Sequence, residues 1–197
     1  MMRITSAWLL TLIFALGITG CGTTPPSKFY LLNVGNSAQQ SNNANLNIGL
    51  GPIEFPAYLD RSKIMIRTGN NSFKAAEYHR WAEPLETNFT RVLAQNLGSA
   101  LPNAVVTLYP WRNGKEIKIQ VLLEVLSFDS DNNNQARLNV RWELLDADKK
   151  TIAPPQQREY IKTARNSDYE ERVAAMSECV MALGQELGQE ITRITAK

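Results

Sequence analysis

Histidine occurs once in these 197 residues, at His79, and cysteine twice, at Cys21 and Cys179. A single histidine excludes a metal site built on paired histidines within one chain, and a catalytic triad would have to use His79 itself. His79 sits in Tyr78-His79-Arg80-Trp81, where a lone imidazole among aromatics reads as structural. No charge of one sign dominates: 21 Lys plus Arg stand against 19 Asp plus Glu, with no basic cluster longer than Lys149-Lys150. Nothing suggests a nucleic-acid binder. Walker motifs are absent, and Gly49-Leu50-Gly51 lacks a third glycine and runs into Pro52, so it is neither a dinucleotide nor a phosphate loop. Asp129, Asp131 and Asn132 to Asn134 lack the glycine and terminal Glu spacing of a calcium loop and read as a hairpin turn. Glu77, Glu83 and Glu86 hold enough carboxylate for glycoside hydrolysis, but at a density ordinary for a surface. The expectation is a non-catalytic protein with no cofactor and no metal.

Long hydrophobic runs are missing too. The longest begins at Ala7-Trp8-Leu9-Leu10 and continues to Leu16, after Met1, Met2 and the single charge of Arg3, and it is too short to span a bilayer. That is the layout of a cleavable signal peptide over residues 1–20. The run stops at Ile18-Thr19-Gly20-Cys21, which resembles the bacterial lipobox, so Cys21 is the expected lipidation site. Each acyl chain contributes about 0.8 kcal/mol per buried methylene, which makes a doubly or triply acylated cysteine an essentially permanent anchor. Lipidation leaves Cys179 as the last thiol, so no disulfide closes within one chain even in an oxidising compartment. An Asp directly after the lipidated cysteine resembles an inner-membrane retention signal; Gly22 stands there instead, and the expected location is the outer membrane, facing the periplasm.

Residues 21–28 have tether composition, and residues 29–197 suit one domain. Eight residue steps separate Cys21 from Phe29, at most about 28 Å of extended chain, so the domain stays beside its membrane. Phe29-Tyr30-Leu31-Leu32 reads as a first strand, and the polar stretch from Gly35 to Asn47 as a mobile loop. Strands are expected at 46–50, 64–67, 73–78 and from Val105. Ile117, Ile119, Val121, Leu123 and Val125 alternate with polar neighbours, as do Leu138, Val140, Trp142 and Leu144, which predicts an antiparallel hairpin. Pro154-Pro155 confines the strand within 151–164 to a sheet edge or to a start at Gln156. Leu85, Phe89, Val92, Leu93, Leu97 and Leu101 predict a helix over 84–101. Tyr169 to Ile194, apolar every three or four residues, predict a second, with Ser167 and Glu170 as a capping box. On that helix Cys179 lies on the apolar stripe and reads as a small hydrophobe. The expected fold class is α+β: a mostly antiparallel sheet with two amphipathic helices on one face.

What rises above background is aromatic. Phe55, Tyr58 and Leu59 lie in a proline-bracketed loop at 53–61, with Arg61 at its end, Trp81 before the first helix and Trp111 after Pro110. Two readings stay open, core capping and a contact surface. Four features, in order, resemble the ABC-transport auxiliary lipoproteins of the YmbA or PqiC type: the lipobox, Phe29-Tyr30-Leu31-Leu32, the segment Phe55-Pro56-Ala57-Tyr58-Leu59-Asp60-Arg61, and Trp81-Ala82-Glu83-Pro84-Leu85 opening a helix that ends at Leu101-Pro102. The resemblance spans nearly the whole mature chain. It implies a non-catalytic outer-membrane component whose partner is the MCE-domain membrane protein of an intermembrane phospholipid transport system, with copies assembling into a homo-oligomer such as a ring. Of the residues named, only Cys21 carries a family role directly. Phe55, Tyr58, Leu59, Arg61 and Trp81 are candidate partner contacts on composition alone. The alternative is a stand-alone periplasmic envelope lipoprotein with a structural, inhibitor or enzyme role.

Overall fold

A computed structural model describes residues 24–35, 46–112 and 114–196, so the expected signal peptide and Cys21 lie outside the described residues, as does most of the polar loop. Eight strands form one sheet: β1 (Lys28–Tyr30), β2 (Leu46–Glu54), β3 (Lys63–Gly69), β4 (Ser72–Trp81), β5 (Ala104–Leu108), β6 (Ile119–Asp131), β7 (Gln135–Asp146) and β8 (Thr151–Thr163). Two helices, α1 (Leu85–Ala100) and α2 (Tyr169–Thr195), bury their apolar stripes against one face of it.

The spine is β6, and its two edges are used differently. Along one edge it pairs antiparallel with β7 from Ile119↔Asp146 to Ser130↔Ala136, and β7 pairs antiparallel with β8. The other edge is shared. Parallel to it, β2 takes the first part, Ile48↔Ile119 to Glu54↔Glu124, and β3 the last two residues, Ile66↔Ser130 and Arg67↔Asp131. Beyond these, β5 extends the β2 arm, while β4 and then β1 extend the β3 arm. The sheet is therefore forked. Alternation along a strand is the same for parallel and antiparallel partners, so the parallel ladders of β1, β2, β3 and β5 were not visible as such in the sequence.

At the fork a bulge in β6, between Val125↔Val140 and Ser127↔Asn139, inserts one residue and reverses the alternation. Before it Ile119, Val121, Leu123 and Val125 face the helices; after it Phe128 and Ser130 do, and Asp129 turns to the outer face. The strand thus runs through the segment expected to be a turn, and the turn proper is at 132–134. Elsewhere the boundaries moved for local reasons. Ile53 and Glu54 continue β2 rather than opening the loop. Leu31 and Leu32 leave the β1 ladder. β8 is a sheet edge and keeps its prolines, with register shifts against β7 beside them. The capping box does not form: Asp168 is the residue before α2, with no side-chain cap, and the Ser167 carbonyl instead accepts from Arg172 Nε at 3.1 Å.

The helices meet closely where α2 carries glycine. A Cβ on Gly184 would stand 2.8 Å from the Asn96 Cβ and 3.3 Å from α1 backbone, and one on Gly188 2.6 Å from the Ala100 Cβ, so hydrogen alone fits. Residues 31–35 then lie over both helices. Leu32 N–H donates to Asn88 Oδ1 at 2.6 Å, Asn33 N–H to Ser177 Oγ at 3.0 Å and Gly35 N–H to Asn96 Oδ1 at 3.2 Å. With no strand beside this strap, helix side chains supply the acceptors that a ladder would. The segment that follows β1 is in this way fastened to the helical layer.

Candidate functional site

Between the β2 and β3 arms the edge of β6 has no strand partner, and residues 55–62 fill that gap. Pro56 introduces a short 3-10 turn, Ala57–Leu59, closed by Leu59 N–H to the Pro56 carbonyl at 2.9 Å and Asp60 N–H to the Ala57 carbonyl at 3.2 Å. On the helix side Phe55 meets Phe89 edge-on at 5.1 Å, and Phe89 meets Phe128 edge-on at 5.6 Å. Leu59 is 5 % exposed and joins the same core. Across the gap Tyr58 Oη accepts the Phe128 N–H at 3.4 Å, an edge donor that no strand reaches, and donates to Asp129 Oδ2 at 3.3 Å.

The Asp129 carboxylate is 2 % exposed and is held by a two-point fork from Arg67, Nε to Oδ1 at 2.9 Å and Nη2 to Oδ2 at 2.8 Å. The guanidinium lies over Phe73, 4.4 Å from the ring centre, and Tyr58 packs on the same ring at 5.1 Å. Burial first, and then the charge of Asp129, push the Tyr58 hydroxyl up to about 12, so it stays protonated and serves as a donor. The hydrogen bond to Asp129 in turn raises the affinity of Arg67 for its proton. Each group in this cluster satisfies another, which is the condition for a polar network under a protein surface.

Of the five candidate contact residues, Phe55, Tyr58 and Leu59 close the fork. Trp81 is 6 % exposed and ends β4, its N–H donating to the Ser62 carbonyl at 2.8 Å. Arg61 is exposed. Trp111 packs over Gly49 on the outer face of the sheet, with Lys149 Nζ 5.6 Å from its ring. The network that organises the segment, Arg67, Phe73 and Asp129, escaped the sequence reading, as did the strap acceptors Asn88 and Asn96. A detectable signal existed for the asparagines: they interrupt the apolar stripe of α1 at helical spacing.

His79 stacks on Tyr169 at 3.7 Å and shares a 2.7 Å hydrogen bond with the Tyr30 hydroxyl through Nδ1. Burial, and next Lys28, hold it below its ordinary value, which favours the neutral ring of a packing residue. Cys179 donates weakly to the carbonyls of Tyr160 and Ala136, and burial pushes its thiol up to about 12 from 9.0. Iodoacetamide at pH 8 should therefore modify the folded chain roughly a thousandfold more slowly than an exposed thiol, with full reaction only in guanidinium. Rapid labelling of the folded protein, followed by mass spectrometry, would refute the assignment. Among the described residues no group of three or more His, Cys, Asp or Glu is placed to hold a metal ion, and no helix is long and apolar enough to cross a membrane.

The forked sheet under two helices recurs in solved structures. A crystal structure of an uncharacterized protein superposes with a TM-score of 0.70 at 20% identity, covering 85% of this chain and 99% of its own. A Xanthomonas campestris protein does so at 0.68 and 13%, covering 86% and 97%, and a hypothetical protein of Chlamydia trachomatis at 0.50 and 14%, covering 78% and 100%. At these identities the likeness shows the fold. No curated protein matches the chain in sequence. A family model does, along residues 30–188, from the last residue of β1 through most of α2 and across the fork, the strap and both helices. The chain belongs to the family of ABC-type transport auxiliary lipoprotein components.

Proposed function

We propose that the chain is a non-catalytic docking component of an intermembrane phospholipid transport system, anchored through Cys21 on the periplasmic face of the outer membrane. Its partner is an MCE-domain membrane protein, and it works as an assembly of its own copies. The observation that carries this reading is the family match along residues 30–188, on a fold whose conspicuous polar cluster, Tyr58, Arg67 and Asp129, is engaged in holding the sheet together. Surfaces are left as the means of action. The outermost strand of the β2 arm, β5, exposes Val105, Leu108 and, just beyond it, Tyr109. Such an edge suits a neighbouring strand, whether from a second copy or from the partner. Arg61, solvent-facing beside the fork, remains the proposed contact of the loop, with Phe55, Tyr58, Leu59 and Trp81 setting its position.

The test is a membrane-fraction pull-down of wild type, Cys21→Ala and Arg61→Glu, followed by mass spectrometry of what co-purifies. An MCE-domain protein is expected with wild type, less of it with Cys21→Ala, and less with Arg61→Glu although that chain still reaches the membrane. Recovery of this chain alone from wild-type membranes would favour a stand-alone envelope protein.

A further inference from the structure

We propose that the outer face of the β3–β4–β1 arm is a membrane-contact surface, resting on the headgroup layer of the membrane that holds the chain's own anchor; it depends on the lipid-anchor reading above. Register places Phe29, Arg80 and Lys63 in one row across the three strands. Directly opposed partners project to the same face. Their neighbours Tyr30, Trp81 and Ile64 turn the other way, into the core, so the row looks away from the helices. Phe29 is 64 % exposed; Leu31, 42 % exposed, has left the ladder and begins the strap over the helices.

The charges of this row are positive, whereas Asp168, Glu170 and Glu171 at the start of α2 lie by the edge of β1, where Lys28 and Leu31 are. Lys28, registered with His79, turns to the other face; Arg61 and Lys63 lead into β3, and Arg80 Nε and Nη1 donate to Ser27 and Ser62 at 3.3 and 3.4 Å. Those bonds pin the Arg80 guanidinium between the end of the tether and the start of β3. The carboxylates close by in sequence are Asp60, Glu77 and Glu83, and Glu83 is paired with Arg91. Isolated exposed apolar side chains need no explanation. An aromatic in one row with an arginine and a lysine is different, because that combination suits the boundary between lipid headgroups and acyl chains: the apolar ring enters, and the cations meet lipid phosphates.

Chain length decides what covers the surface. Thr24 is three residue steps from Cys21, at most about 11 Å, and Phe29 eight steps, at most about 28 Å. The other large apolar side chains that are exposed among the described residues, Val105, Leu108, Tyr109 and Ile161, belong to or adjoin β5 and β8. Phe29 adjoins the tether, so an anchored chain presents it to its own membrane.

The test uses the full lipoprotein reconstituted in vesicles of phosphatidylethanolamine and phosphatidylglycerol, with a bimane fluorophore on Phe29→Cys or, for reference, on Val105→Cys. Cys179 is fully buried and does not take the label. The label at 29 should be quenched by doxyl groups on the lipid and shielded from aqueous iodide, and the label at 105 the reverse. Lys63→Gln should lower the docked population about five-fold, the contribution of one cation at an anionic surface. Equal iodide quenching at both positions, with the protein still in the vesicle fraction, overturns the surface and leaves the anchor standing. Shielding from iodide without quenching by lipid overturns it too, by showing that protein covers Phe29. Release of wild type from the vesicles overturns the anchor, and this surface with it.

Discussion

Arg67→Ala is expected to destabilise the protein by roughly 3–5 kcal/mol, the cost of leaving a buried ion without its partner. The asymmetry of the pair sets the size: the Arg67 side chain is 28 % exposed but that of Asp129 only 2 %, so deleting the arginine strands the group that water cannot reach. Replacing both, Arg67→Met with Asp129→Leu, should recover part of the loss, because no charge is then buried, although Tyr58 loses its acceptor. Arg67→Lys keeps the charge but not the two-point geometry, and should fall between wild type and Arg67→Ala. Urea unfolding followed by circular dichroism measures all three. A cost for Arg67→Ala below about 1 kcal/mol, the range of surface ion pairs, would mean that this pair behaves as an exposed one.

Phe89→Ala should cost a similar amount, about 3–5 kcal/mol, by a different mechanism. Phe89 is fully buried between Phe55 and Phe128 and links α1 to the loop in the fork and to β6 below it. Removing the ring leaves a cavity that the sheet cannot close, because β2 and β3 hold the two sides of the gap on a single strand. Residues 55–61 should then become the first site of limited proteolysis in an otherwise folded protein. Full resistance of that segment, with a loss of stability spread evenly, would show that the loop is held mainly by Tyr58 and the arms. The two variants separate the contributions: Phe89 secures the loop from the helix side and Arg67 from the outer side.

The helices and most strands were legible because each carries its own period. Leu85 to Leu101 repeats at helical spacing and Leu138 to Leu144 alternates, and both patterns are local. The end of β6 was not legible, for a specific reason. Asp129 and Asp131 with three following asparagines have the composition of a turn, and polar residues enter a strand interior only when something distant satisfies them. Here that is Arg67, 62 residues away. The aromatic loop was recognisable as unusual, yet its composition suited a contact surface and core capping equally well. Burial of Leu59 and Trp81, and the engagement of Phe55 and Tyr58, depend on where the loop lies relative to β6, which no window of sequence contains.

The sequence by itself raised the expectation of a leader ending at Cys21 and determined the period and extent of two helices, the alternation of the long strands and the family resemblance, since each is written in neighbouring residues. Tertiary structure alone decided that β2 and β3 share one edge of β6, that a bulge turns Asp129 outward under Arg67 and Tyr58, and that Asn88, Asn96 and Ser177 hold the strap. It also set Phe29, Arg80 and Lys63 in one row. The reason is physical: burial, charge pairing and strand register join residues far apart in the chain, and their energies exist only once the chain has folded back on itself.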